Sequence, residues 1–132
     1  MPLLQWTEDY VTGIMAADYE HRTLIRDINQ FHDEWSRRSG AGTDEFFADV
    51  LKRLGRHFVI EEGVMAESAY AGIDAHRADH ELLLRQLRDI RREAVERHRD
   101  FAGPLAELLE RWLASHIQGH DAEMYRTLGL GH

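Results

Sequence analysis

Two pairs of side chains able to bind a metal, His57 with Glu61 and His76 with His80, each span four residues within one stretch, HFVIEEGVMAESAYAGIDAHRADH. A step of four residues returns to within about 40° of the starting face of an α-helix, so each pair aims two donor atoms the same way. Between the pairs lie Gly63, Gly72 and an acidic, small-residue segment over 66–74. That segment is long enough to reverse the chain and set the pairs on facing antiparallel helices. The rest of the chain reads as what completes the site.

The pattern elsewhere is helical. Proline occurs only at Pro2 and Pro104, and strand-like alternation is hard to find. Residues 1–15 carry Leu3, Leu4, Trp6, Tyr10, Val11, Ile14 and Met15, too apolar for a free tail, and read as an extended arm packed along a bundle. A first helix is expected from Ala17 or Asp18 to Ser39, with Leu24, Ile28 and Phe31 on one face and His21 three residues before Leu24. Thr43 suits the N-cap of a second helix, whose face carries Phe47, Val50, Leu54, His57, Phe58 and Glu61. A third is expected from an Asp74 cap to about Arg97, with His76, His80, Leu83, Leu84, Leu87 and Ile90 inward and a row of arginines outward. Pro104 fits the first position of a fourth, which carries Leu105, Leu109, Trp112, Leu113 and His116. The fold class is therefore all-α: an antiparallel up-down four-helix bundle over about 17–119, with the arm before it and a short tail after it whose last residues are poorly ordered. One domain over 1–132 is expected.

Cysteine is absent, so any metal must be held by nitrogen and oxygen. The net charge of −8 is spread along the chain without a basic face, which argues against nucleic acid. The start lacks the basic n-region of a leader, and no segment reaches a membrane span of roughly 18 apolar residues. A cytoplasmic protein, without membrane insertion and monomeric, is expected.

Of nine histidines, His32, His98, His120 and His132 read as surface residues, whereas His21, His57, His76, His80 and His116 fall on inward stripes of all four helices. Five uncoordinated imidazoles in one small core would be costly, since each ring nitrogen needs a partner. Imidazole and carboxylate without sulfur suit iron, manganese, copper or zinc alike. Five nitrogens and two carboxylates exceed one ion's coordination and fit two ions bridged by carboxylates. No histidine has glutamate three residues before it, which disfavours a ferritin-like site, and no His-Glu-x-x-His occurs.

The segment around Trp6 followed by Asp18 and His21 with Leu24 and Asn29, then HFVIEEGVM, the spacing of His76 and His80, and WLASHIQGHD together resemble, in order, the motifs of the hemerythrin family, specifically its single-domain bacterial members. The resemblance covers nearly the whole chain. It implies a non-haem di-iron centre with an oxo or hydroxo bridge: His76, His80 and His116 on one iron, His21 and His57 on the other, Glu61 and Asp121 bridging. The second iron then keeps an open position for dioxygen. Leu24, Trp112 and Leu113 would line an apolar pocket that limits proton supply. His116 and Asp121 stand five residues apart, about 140° around a regular helix, where spacing alone would prefer His120. The family shares that spacing, which points to an irregular backbone at Gly119, either a π-type turn or the helix end. Glu62 reads as a group behind the ligands or on the surface, and Met65 as core.

The function this implies is reversible dioxygen binding for transport, storage or sensing, without substrate turnover, and an oxygen-consuming enzyme is the expected recipient. A di-iron oxidase, peroxidase or ferroxidase is the alternative, disfavoured because no general acid is evident beside the site. A metal-independent helical interaction module is the second, and it leaves the inward histidines unexplained.

Overall fold

A computed structural model of the chain describes residues 2–129. The chain folds as four long helices, α1 Met15–Arg37, α2 Thr43–Glu67, α3 Ile73–Glu96 and α4 Ala102–His116. A π-helical segment, Ile117–Asp121, and a short α5, Ala122–Thr127, continue directly from α4. Each consecutive pair of long helices packs side by side through a short loop, which makes the up-down bundle expected from the apolar stripes.

The ends of the helices differ from the sequence reading for local reasons. Helix α1 starts at Met15 because Asp18 reaches back, its Oδ1 accepting from the Thr12 backbone N–H at 2.8 Å and its Oδ2 from Gly13 at 3.2 Å. Thr43 is the first helical residue of α2 rather than its cap, and its hydroxyl instead accepts from Trp35 Nε1 at 3.0 Å. The turn before it is left to Gly42, whose φ of 79° places it in the left-handed region. Asp74 likewise lies inside α3, and Pro104 is the third residue of α4 rather than the first, still within the turn whose amides lack helical partners. Helices α1 and α2 close with Schellman turns, in which Gly40 N–H donates to Trp35 O and Tyr70 N–H to Met65 O. The left-handed residues in these turns are Ser39 and Ala69, positions where glycine would carry no Cβ penalty.

The arm packs as expected. Leu3, Leu4 and Tyr10 are buried in the core, and Leu4 and the Asn29 side chain of α1 exchange two hydrogen bonds at 2.8 and 2.9 Å. The bundle extends beyond the expected boundary near Gly119, because the backbone widens there without stopping. The expectation of poor order at the end falls on residues 130–132, outside the described residues, as does His132. His32 is not a free surface residue: it is half-buried, stacked on Trp35 and edge-on to Phe46.

Candidate metal centre

Seven side chains converge in the half of the bundle nearest the α2–α3 loop. His21 comes from α1, His57 and Glu61 from α2, His76 and His80 from α3, His116 from the end of α4 and Asp121 from the π segment; all seven are buried. The π turn is what brings in the last. Its i→i+5 hydrogen bonding carries Asp121 back over His116, with Oδ1 3.1 Å from His116 Nε2. His120, the rival by spacing, is turned outward and more than a third exposed, 4.0 Å from Asp79.

The donors form two groups. In the first, His76 Nε2 and His80 Nε2 lie 3.0 and 3.1 Å from His116 Nε2, Glu61 Oε1 lies 3.0 Å from His80, and Asp121 Oδ1 lies 2.9 Å from His76. In the second, Glu61 Oε2 faces His57 Nε2 at 3.2 Å and Asp121 Oδ2 faces His21 Nε2 at 3.4 Å. Donors held about 2.1 Å from a shared centre at right angles stand about 3.0 Å apart, so the spacing is that of ligands around an ion. Each carboxylate gives one oxygen to each group.

Three imidazoles are oriented from behind. His80 Nδ1–H donates to Glu62 Oε2 at 2.9 Å, His116 Nδ1–H to Asp79 Oδ2 at 2.6 Å, and His57 Nδ1–H to Glu20 Oε1 at 3.2 Å. A proton fixed on Nδ1 leaves the Nε2 lone pair facing the centre, the arrangement that metal-binding histidines use. Glu20 is itself held by Arg53, whose Nη2 donates to it at 2.8 Å while Nε donates to Asp27 at 2.9 Å. Phe58 stacks on His80 with centroids 3.9 Å apart, and Trp112 on His116 at 4.2 Å.

Buried polar atoms without hydrogen-bond partners concentrate in the same place: both ring nitrogens of His21, Glu61 Oε2, and both oxygens of Asp121. Buried polar groups are paired in nearly all native structures, and an unpaired one costs about 1–3 kcal/mol. Cations at the two centres satisfy all of these atoms except Nδ1 of His21, so the donor set fits metal. Its chemistry, imidazole and carboxylate, is open to several transition ions.

Without metal the site is a tightly coupled proton store. The surrounding imidazoles of His116, His57, His76 and His80, once protonated, outweigh burial and hold Glu61 well below the usual carboxylate range. Asp121 is lowered too, against both burial and the Glu61 charge. Burial pushes His57 down, but its bonds to Glu20 and Glu61 prevail and raise it to about 9. His116, likewise opposed by burial, is raised to about 10 by Asp121 and Glu61. The hydrogen bond from His57 holds Glu20 down at about 2.

A cavity of about 500 Å³ opens on the two-histidine side, lined by Ile14, Ala16, Ala17, Ile60, Val64, Met124 and Tyr125 with Glu20, His57 and Glu61. Leu24, Trp112 and Leu113, expected to line a pocket, are absent from this lining and belong to the apolar core, Trp112 against the three-histidine side. Glu62 stands behind a histidine as read, and Met65 is core, packed with Tyr70 and Met124. Sequence reading missed Glu20, Asp79 and Arg53 behind the histidines and Tyr125 in the cavity. Arg53, four residues before His57 and next to Leu54 on an apolar face, carried a usable signal; the other three did not.

Fold and cluster together define a metal-binding four-helix-bundle protein. The chain belongs to the hemerythrin family: the model described as the Hemerythrin HHE cation binding domain matches residues 12–128. It is 33% identical over 124 residues to the bacteriohemerythrin of Pseudomonas aeruginosa (strain LESB58), covering 92% of this chain and 79% of that protein. It is 31% identical over 121 residues to that of Stenotrophomonas maltophilia (92% and 78%) and 25% identical over 118 residues to that of Methylococcus capsulatus (89% and 90%). No solved structure matches it. No helix among the described residues is long and apolar enough to cross a membrane.

Proposed function

We propose that this chain binds dioxygen reversibly at a non-haem di-iron centre held by His21, His57, Glu61, His76, His80, His116 and Asp121. The observation that carries the reading is the division of donors: three imidazoles on one side, two on the other, and two carboxylates with an oxygen toward each. Two irons held by these seven residues, with Glu61 and Asp121 offering an oxygen to each, would supply the pair of electrons that dioxygen takes up on binding and returns on leaving. The chain does the rest. Glu20, Glu62 and Asp79 fix three rings, the cavity offers access beside His57, and the apolar lining keeps proton donors few. The side with two imidazoles is the one left short of ligands, and it is also the one on which the cavity opens.

In this reading the protein is a cytoplasmic monomer that carries, stores or senses oxygen for an oxygen-consuming partner and turns over no substrate. The oxidase reading gains one observation, Tyr125 in the cavity lining, a phenol that burial raises and that keeps its proton. The test is iron content with the visible spectrum of protein reduced anaerobically, exposed to air, then purged with argon. About two irons per chain and a colour that appears with oxygen and fades on its removal are expected. A colour that needs reductant to clear supports the oxidase; His57→Ala with unaltered metal content supports the interaction module.

A further inference from the structure

The cavity beside His57 and Glu61 is far larger than dioxygen needs. A water-sized molecule occupies about 30 Å³ of liquid volume, whereas pockets for small organic ligands run from about 300 Å³ upward. At about 500 Å³ this cavity falls in the second class. The space exists because α1 presents only Ala16 and Ala17 in its first turn, where α2 presents Ile60 and Val64 and α5 closes the far side with Met124 and Tyr125. Ile60 and Val64 line the cavity and are still 66% and 38% exposed, so the apolar wall continues to the surface.

We infer that the cavity is a binding site for a neutral, compact, apolar organic molecule of about one aromatic ring, seated between α1, α2 and α5. The lining decides the class. Apart from the site's own His57 and Glu61, the ionisable groups that line it are Glu20 and Tyr125. Glu20 is paired with Arg53 and His57, and Tyr125 is neutral, so no free side-chain cation in the lining meets an anionic ligand. The carboxylate of Glu61 repels one. An uncharged ring buries its surface against Ile60, Val64 and Met124 and displaces water that has few polar partners there. These walls come from α1, α2 and α5, so the inference goes beyond the dioxygen reading and does not depend on which metal is bound.

Toluene titrated calorimetrically into iron-loaded protein should give a saturable, one-to-one heat, and in a metal-free sample, where no open iron position can take a carboxylate, benzoate, the same ring with a negative charge, should bind at least tenfold more weakly than toluene. Val64→Trp fills the cavity and should weaken toluene at least tenfold. Ile60→Glu, at an exposed position that leaves the core alone, should do the same by placing a charge at the mouth, and it stands in if the tryptophan variant fails to fold. Leu82→Ala, on α3, should keep toluene binding within twofold. No saturable heat, benzoate binding as tightly as toluene, or undiminished binding by the cavity variants overturns the inference. Iron content of the same samples tests the di-iron reading separately: a chain that binds toluene without two irons keeps this inference and loses that one.

Discussion

The two halves of the bundle are built from opposite materials. Around the α1–α2 and α3–α4 loops, Trp35, Phe46, Phe47 and Phe101 pack with centroids 4.9–6.2 Å apart, and the stripes above them are Leu, Ile and Val. Around the α2–α3 loop the same four-helix geometry encloses five imidazoles and two carboxylates, several with unpaired atoms. The first half gains stability from burial alone. The second leaves buried donor atoms unpaired, and Met65, Tyr70 and Met124 pack as a small separate apolar cluster. One scaffold thus serves as a self-sufficient core at one end and a receptacle at the other.

Several experiments break or sharpen that contrast. On the di-iron reading the largest effect should come from stripping the metal with a chelator: at ion concentrations about a hundredfold above each dissociation constant, two sites would contribute about 5 kcal/mol in total. Hydrogen exchange should then speed up in the first turns of α1 and α3, the last turns of α2 and the π segment, and change little around Phe47. Phe47→Ala, at a fully buried ring, should cost about 4 kcal/mol in denaturant unfolding, and the loss should be the same with and without iron. Asp79→Ala removes the acceptor behind His116 and should weaken iron binding about tenfold to hundredfold in a competition with chelator, leaving the aromatic half's exchange unchanged.

A further effect is distinguished by its sign rather than its size. In metal-free protein His57 and His116 titrate at about 9 and about 10, above the ordinary imidazole value of 6.5. The stability they contribute is full below pH 6.5 and is lost as pH rises through 9 to 10. Glu20, depressed to about 2, adds stability above its ordinary 4.5 that is lost as pH falls toward 2. The metal-free chain should therefore be most stable between about pH 4.5 and 6.5. Iron binding needs unprotonated imidazoles, so iron affinity should rise over the window in which metal-free stability falls. Unfolding and chelator competition measured across pH 5–9 check the opposed slopes.

Much of this was legible in the sequence because periodicity encodes it. Inward stripes gave the four helices, and a histidine within each stripe gave the cluster. Between His116 and Asp121 spacing alone favoured His120; the resemblance to the hemerythrin family is what pointed to irregular backbone at Gly119, and the π segment occurs there. What stayed hidden depends on contacts between distant residues. Glu20 and Asp79 look like surface carboxylates until the fold sets them behind His57 and His116. Gly119 looked like an end because glycine often ends helices, and a widened turn that continues the helix carries the same residue. The cavity is made by the smallness of Ala16 and Ala17, and an absence of side chain has no signature in a pattern of apolar positions.

The widened turn also makes the site's tolerance of length uneven. Between His116 and Asp121 the chain spends five residues where a regular helix would use four to return to the same face. One residue there is surplus, as though an insertion had been absorbed without disturbing what lies on either side. Loss of a residue from 117–120 can relax that stretch to ordinary helix and keep Asp121 over His116. The same loss between His76 and His80 turns one imidazole about 100° from its neighbour. Deletion of one residue from 117–120 is therefore expected to be tolerated by the site, and deletion of one residue between His76 and His80 to destroy it.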